Sequence, residues 1–494
     1  MRQRFVLTIL FFLATEIICA AEKPNIVFIY TDDQSFNTIA SLGNPIVKTP
    51  NFDKLVNQGV TFTNAYNQGG WHGAICVASR SMINTGRFLW NAQRKIDDLR
   101  PNKQNELTPE KRTQIASEFW SYHFKQAGYT TYFTGKWHVD IPVRILFDYV
   151  GLVRGGMPPT VESSYNRPFE NTEDVWSPFD PQFQGHWSGG QHWAEVLADS
   201  SIEFIEKAAK HNEPFFLYLA FNSPHDPRQA PKEYVDLYPQ EKMNVPPNFL
   251  PENPHKEIMG CPATLRDEKL APYPRTEYAV RVHRREYYAI ISHLDTQIGR
   301  ILDALDQSGK KENTYIFLAA DNGLAIGAHG LFGKQSLFEH SVKVPLIITG
   351  PNIPHNKRIE TPVYMQDIVP TTLDVSGIAV PEHIQFRTLL PLIHGQKTEQ
   401  YHAVYGAYMN LQRMVRKDDF KLIIYPKGNI VFLFDLKNDP DEIHNLAEKP
   451  EYAAKIQELF QELLSLQKET GDSLNLKVSP TENPVGRQNQ MNSL

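Results

Sequence analysis

Four stretches of this chain are largely apolar runs, and three of them end in polar residues at their carboxyl ends. Residues 25–30 (NIVFIY) run into Thr31-Asp32-Asp33, and 215–221 into Asn222-Ser223-Pro224-His225. Residues 314–320 run into Asp321-Asn322-Gly323, and 344–349 into Gly350-Pro351. A strand without apolar/polar alternation is buried on both faces, as in a parallel sheet covered by helices on each side. Ligands of open α/β sheets bind just beyond the carboxyl ends of the strands. The pattern therefore predicts an α/β domain with its polar chemistry gathered along one rim. Adjacent carboxylates there are costly unless a cation or partner holds them; taken alone, Asp32-Asp33 reads equally well as a solvated turn.

The segments between these strands fill in the domain. Thr49-Pro50 predicts a helix with Thr49 as N-cap and Gly59 as its end, followed by a strand at 61–66. Thr108-Pro109 opens a helix to Gly128, and a strand at 129–133 leads into Gly135-Lys136-Trp137-His138. Helices are expected at 194–210 and 278–307, the latter amphipathic and closed by Gly309. Residues 141–190 and 238–274 show no periodicity and read as long insertions. After 390 the pattern changes to short alternating strands at 403–408, 414–416, 420–425 and 431–436, then a helix at 450–469. The expected organisation is a catalytic domain over 21–390, a C-terminal α+β subdomain over 391–473 and a disordered tail over 474–494.

Residues 1–20 read as a signal peptide, with Arg2 and Arg4 before an apolar run and small residues near Cys19-Ala20-Ala21. Ile18 is bulky for a lipoprotein site at Cys19. No later stretch is long enough for a bilayer span, so the expectation is a periplasmic or secreted protein. A net charge of −6 points away from nucleic acid. Of 3 cysteines, Cys76 and Cys261 remain after cleavage, and in an oxidising compartment they could form one disulfide.

Cys76 opens the segment Cys76-Val77-Ala78-Ser79-Arg80, continued by Thr85-Gly86-Arg87. A helix starting there puts Cys76 and Arg80 on one face, a turn apart, beside amide groups that favour an anion. A cysteine-dependent phosphatase is excluded, because Met82 stands where its arginine belongs. The plain reading is a small buried cysteine next to a charge. Asp32, Asp33, Asp321 and Asn322 offer only oxygen, which selects calcium or magnesium over zinc. Arg80, Lys136, Lys334 and His225 bring positive or hydrogen-bonding character for a small anion.

In order along the chain, Asp-Asp, C-x-A-S-R, Gly-Lys-Trp-His, Ser-Pro-His, Asp-Asn-Gly, the Gly333-Lys334 loop and the run from Phe434-Asp435-Leu436 to Asn445-Leu446 resemble the type I sulfatases, bacterial polysaccharide sulfatases included. Ala78 departs from the commoner Pro. The resemblance implies an alkaline-phosphatase-like central mixed sheet flanked by helices, and hydrolysis of sulfate esters. It implies that Cys76 is oxidised to formylglycine by a formylglycine-generating enzyme and that Asp32, Asp33, Asp321, Asn322 and the modified Cys76 hold Ca2+, with Mg2+ the alternative. Arg80 and Lys136 would orient formylglycine and sulfate, and His138 would stabilise the hydrated aldehyde. His225 and Lys334 would bind sulfate, with His225 protonating the leaving alkoxide. One hydroxyl of the hydrated aldehyde attacks sulfur and the second then expels sulfate.

The expected substrate is a sulfated polysaccharide or its oligosaccharides, such as ulvan, carrageenan or a glycosaminoglycan. Trp176, Trp187, Trp193, Tyr165 and Tyr273 in the insertions could stack on sugars, with His186 and His192 beside two of them. Arg144, Arg154, Arg167 and Arg275 could pair with uronates or further sulfates. Packing within the loops explains any one of these equally well. The alternatives are a phosphoryl-transfer hydrolase on the same fold and a non-catalytic carbohydrate-binding relative.

Overall fold

The apolar runs form the middle of an eight-stranded sheet in the computed structural model, which describes residues 22–100 and 108–476. Its strands are β1 (Asn25–Thr31), β2 (Val60–Phe62), β3 (Thr130–Lys136), β4 (Tyr149–Arg154), β5 (Phe215–Ala220), β6 (Thr314–Ala320), β7 (Leu346–Thr349) and β8 (Lys357–Ile359). They lie in the order β8-β2-β7-β6-β1-β5-β3-β4. All run parallel except β7, which opposes both neighbours. The signal segment, Cys19 and residues 477–494 of the expected tail lie outside the described residues. Leu474 and Leu476, at the start of that tail, pack into the C-terminal core.

The helices that position the site are α1 (Pro50–Gln58), α2 (Ile75–Thr85), α3 (Trp120–Gln126), α4 (Trp193–Ala209), α5 (Glu277–Gln307) and α6 (Ala453–Thr470). Strand β1 shows why its run is unbroken. Ile26, Phe28 and Tyr30 enter one core with Trp120, Phe216 and Tyr218. Val27 and Ile29 enter the other, against Ile290, Leu294 and Ile298 of α5. Both faces of the pleat are covered, so both residue parities are apolar.

The structure corrects several expected elements. The 61–66 strand is two, β2 and a short Ala65–Tyr66 pairing in a separate three-stranded sheet. The 108–128 helix breaks near Phe119 into Pro109–Ala116 and α3. Thr49 does not cap α1 through its side chain. Asp295 of α5 does, accepting from the amides of Asn51 (3.1 Å) and Phe52 (2.7 Å). Gly59 ends α1 in an extended conformation, and a Cβ there would lie 2.2 Å from the Ile348 carbonyl oxygen. Close approach of β7 therefore requires glycine, not a left-handed turn. The 141–190 insertion is not wholly irregular, since it supplies the edge strand β4.

The C-terminal meander is as expected: β9 (Val404–Tyr408), β10 (Gln412–Lys417), β11 (Phe420–Tyr425) and β12 (Ile430–Asp435), backed by α6. Its free edge is extended by Gly69–Gly70, parallel to β9. The chain entering α2 is thus a strand of the C-terminal sheet. Among the described residues no helix is long and apolar enough to cross a membrane.

Candidate active site

Strands β1 and β6 end side by side, and their exits interlock. The Asp321 amide donates to the Thr31 carbonyl (3.1 Å), the Asp32 amide to the Ser223 carbonyl (3.1 Å), and the Asp33 amide to Asp321 Oδ1 (3.0 Å). Asp33 takes a left-handed conformation (φ 63°) that Asp tolerates, and this turns its carboxylate back over the strand ends. Its carbonyl is held by the Tyr287 hydroxyl at 2.5 Å.

Helix α2 begins at Ile75, one residue before Cys76, and points into this rim. The Cys76 Sγ lies 3.2 Å from Asp32 Oδ1 and 3.7 Å from both Asp33 Oδ1 and Asn322 Oδ1. Arg80, one turn on, is completely buried and donates from Nε to Asp321 (3.1 Å) and from Nη1 to the Lys136 carbonyl (2.8 Å). The Lys136 ammonium is ion-paired with Asp32. Gly135 delivers it: at φ 109°, a Cβ there would lie 1.9 Å from the Ala220 carbonyl oxygen, so only glycine lets β3 close on β5. Lys334 reaches Asp33 (2.6 and 2.8 Å) and Cys76 Sγ (3.0 Å). His225 sets Nε2 3.6 Å from Asp33, with Nδ1 held at 2.8 Å by the Asp226 carbonyl. His138, also left-handed (φ 52°), shares a cavity of ≈ 470 Å³ with Cys76, His225 and Lys334.

Burial and Asp321 push the Asp32 carboxyl up to about 8. Burial would raise Asp33 as well, but Lys334 and His225 hold it below the carboxylate range. Asp321 stays low because Arg80 and Lys136 outweigh its burial. Burial, with Lys136 and Arg80, drives His138 down to about 2. Burial and the Asp32 and Asp321 charges raise the Cys76 thiol, the opposite of what a thiolate nucleophile needs. Both Cys76 and Cys261 are free thiols, the latter donating to the Gln335 carbonyl (3.1 Å), so the disulfide reading is excluded. Ligand atoms of Asp32, Asp33, Cys76 and Asp321 lie within 4.8 Å of one another. This set, with the Asn322 amide oxygen beside it, fits a hard divalent cation.

Sequence reasoning missed three charged residues here. Asp226 places Oδ1 3.3 Å from His225 Nδ1 and is ion-paired with Arg266. Arg266 is also paired with Asp267, and both line the cavity. Asp226 directly follows the Ser-Pro-His motif, a signal that was available. Arg266 and Asp267 sit in a proline-rich loop where periodicity offers none. That loop, within 238–274, and Gly156-Met157, within 141–190, form the cavity walls, so both insertions do shape the pocket.

The aromatic and basic residues singled out in the insertions are used differently. Trp176 and Trp193 are buried, beneath the guanidinium groups of Arg167 and Arg154 at 4.3 and 3.6 Å. Trp187 donates to the Pro178 carbonyl (3.3 Å), and His186 and His192 stack on each other in the core. Arg167 is bound by Asp174 and Glu286, and Arg275 by Glu268, against the ring of Tyr273. Arg144 is exposed and Tyr165 half-buried. None of these eleven residues lines the cavity.

Comparison with known proteins accounts for this combination of fold and rim. The Sulfatase family model matches residues 24–378, and the model for the N-sulphoglucosamine sulphohydrolase C-terminal region matches 327–469. A sulfatase of Formosa agariphila is 30% identical, with 89% of this chain and 86% of that protein aligned. An N-acetylglucosamine-6-O-sulfatase of Bacteroides thetaiotaomicron is 27% identical over 92% of this chain and 88% of its own. The solved structure of BT4656 in complex with its substrate D-glucosamine-2-N,6-O-disulfate superposes with a TM-score of 0.70 at 23% identity, covering 92% of this chain and 100% of that one. The expected alkaline-phosphatase-like architecture is therefore the one this chain adopts. The chain belongs to the sulfatase family and is a sulfuric ester hydrolase.

Proposed function

We propose that this enzyme removes sulfate from a sulfated polysaccharide or its oligosaccharides, through a formylglycine formed at Cys76. The observation that carries the reading is the position of the Cys76 Sγ. It lies between the oxygens of Asp32, Asp33 and Asn322 on one side and the Lys334 ammonium on the other. That thiol stands where the aldehyde oxygen of the matured residue would be. Sulfated carbohydrate as substrate is supported by the relatives, one an N-acetylglucosamine-6-O-sulfatase and one solved with a disulfated glucosamine.

Asp32, Asp33, Asp321, Asn322 and the matured residue 76 would hold the metal, with calcium our assignment and magnesium second. When bound, it would supply positive charge against the attacking oxygen and the sulfuryl group. Arg80 and Lys136 fix the floor, and their charges face the same oxygens. Lys334 and His225, on the cavity side, would take the sulfate oxygens. His225 would direct its Nδ1–H to the Asp226 carbonyl, so only its doubly protonated form, with a proton on Nε2 as well, would give a proton to the departing alkoxide. Burial lowers this histidine to about 4, and the charge of the bound sulfate would favour the protonated form. His138, kept neutral by its surroundings, would hydrogen-bond the hydrated aldehyde. We place the enzyme in the periplasm or outside the cell, supported by the charge and apolar pattern of residues 1–20.

The test is turnover of an aryl sulfate, an aryl phosphate and a panel of sulfated oligosaccharides by protein matured with a formylglycine-generating enzyme. The reading expects the oligosaccharides to have the highest kcat/KM and the phosphate the lowest. Preference for the phosphate would replace it with the phosphoryl-transfer alternative.

A further inference from the structure

The cavity over Cys76 has an unusual charge balance outside the groups assigned to sulfate and metal. Apart from Cys76, His138, His225 and Lys334, its only charged lining residues, among those described, are Arg266 and Asp267. The rest of the wall is Gly73, Ala74, Gly156, Met157, Leu265 and Gln335. The Arg266 guanidinium is already occupied, with Asp226 against Nη1 and Asp267 against Nη2. Two buried carboxylates therefore share one guanidinium. Asp226 lies behind the lining and also faces His225 and Arg228, so the lining pair of Arg266 and Asp267 is neutral and offers no uncompensated cation. The second Asp267 oxygen accepts from Gln335 Nε2 at 2.8 Å, which fixes the carboxylate. Each carboxylate oxygen has two acceptor sites, so Asp267 can still take hydrogen bonds from hydroxyls. Two other arginines are bound to carboxylates, Arg167 to Asp174 and Glu286 and Arg275 to Glu268, and Arg154, over the Trp193 ring, does not line the cavity.

We infer that Arg266 and Asp267 are specificity-determining residues and that the pocket takes a sugar unit carrying a single sulfate and otherwise only uncharged groups. This rests on the proposed carbohydrate function and narrows it. A uronate or second sulfate on the same unit would enter a wall with no free cation and meet Asp267 at close range, an arrangement that discriminates by repulsion. Hydroxyls meet an acceptor in Asp267, whose carboxylate is held in place by Arg266 and Gln335. A quaternary ammonium would find the Asp267 carboxylate but no Trp, Tyr or Phe ring among the lining residues to build a cage.

The experiment measures kcat/KM of the matured, metal-loaded enzyme on sugars sulfated at one position. Each is paired with its counterpart carrying a second sulfate or a carboxylate, and 4-nitrophenyl sulfate and choline sulfate are included. The expected result is that the best singly sulfated sugar exceeds its doubly anionic counterpart by at least roughly tenfold. Asp267→Asn, which removes the repelling charge and releases part of Arg266, should shrink that ratio several-fold, whereas Arg144→Ala on the outer surface leaves it in place. A wild-type preference for the doubly anionic sugar, or for choline sulfate, overturns the inference, as does an unchanged ratio in Asp267→Asn. Turnover of 4-nitrophenyl sulfate with none of any sugar overturns the carbohydrate reading and this inference together; sugar turnover with the wrong ratio overturns this one alone.

Discussion

The floor and the walls of the cavity are built on opposite principles. The floor consists of strand ends and one helix start, whose charged side chains are aimed at a common point, with Lys334 added from a buried loop. The walls come from two long insertions whose charged and aromatic residues mostly satisfy one another. Arg275 bonds Glu268, and Glu268 accepts from the Phe332 and Gly333 amides at 3.1 and 2.9 Å, so even this wall pair supports the loop that carries Lys334. Charge on the floor is concentrated for chemistry. Charge in the walls is mostly cancelled for stability, and only Arg266 and Asp267 reach the substrate space.

The largest effect that could break this contrast is at Cys76. Cys76→Ala should reduce kcat by roughly 10⁴-fold or more, the scale of losing a covalent nucleophile, with an unchanged circular dichroism spectrum. Metal removal comes next. Exhaustive chelation should abolish most turnover and lower the melting temperature, because a cation at a hundredfold its Kd stabilises by about 2.7 kcal/mol. Loss of neither would mean that Asp32, Asp33 and Asp321 are balanced by Lys136, Lys334 and Arg80 alone.

In the walls the contrast predicts damage to stability in place of specificity. Arg275→Ala should cost about 3–5 kcal/mol in chemical denaturation by leaving Glu268 buried and unpaired. Arg144→Ala, on the exposed surface, should stay within about 0.5 kcal/mol of wild type. If Arg275→Ala instead weakens only doubly sulfated substrates, the wall is a recognition surface after all.

Asp226 sits where wall and floor meet and sharpens the comparison. If it positions His225 as proton donor, Asp226→Asn should slow alkyl sulfates by about 10–100-fold. An aryl sulfate with a good leaving group should lose far less. Equal losses on both would assign Asp226 a purely structural role. The smallest effect concerns His186 and His192. Burial pushes His186 down to about 3 and His192 well below its usual value. A histidine depressed on folding contributes stability above its unfolded pKa of about 6.5 and loses it as pH falls toward the folded value. At pH 5 His186 should therefore cost about 2 kcal/mol. His186→Gln should flatten the fall in melting temperature between pH 7 and pH 5.

How far the sequence could be read follows the same division. Residues 25–30, 215–221 and 314–320 announce their strands because burial on two faces demands apolar side chains at every position. The residues after them are conspicuous because such strands have nowhere else to place polarity. Hence Asp32, Asp33, Lys136, His138, His225, Asp321 and Asn322 stand out from their place at strand ends, Cys76 and Arg80 from their one-turn spacing and Lys334 from its glycine-rich loop, and the resemblance adds the role expected of each. Strand β4 is apolar up to Arg154 yet was hidden by the Pro- and Gly-rich stretch around it, and as an edge strand it leaves Leu152 and Val153 half exposed. Trp193 and Arg167 looked like ligands for sugar because composition cannot say whether an arginine faces a tryptophan of its own chain or a substrate. Arg266 and Asp267 are ordinary loop charges until the fold brings Asp226 behind them.

The central claim is that residue 76 acts as an aldehyde within this ring of oxygens and cations, not as a thiol. Peptide mass spectrometry of fully active protein, made with and without a formylglycine-generating enzyme, tests it most directly. The account predicts an aldehyde at residue 76 in a fraction that rises and falls with specific activity. Full activity in protein whose residue 76 is entirely free thiol would contradict it.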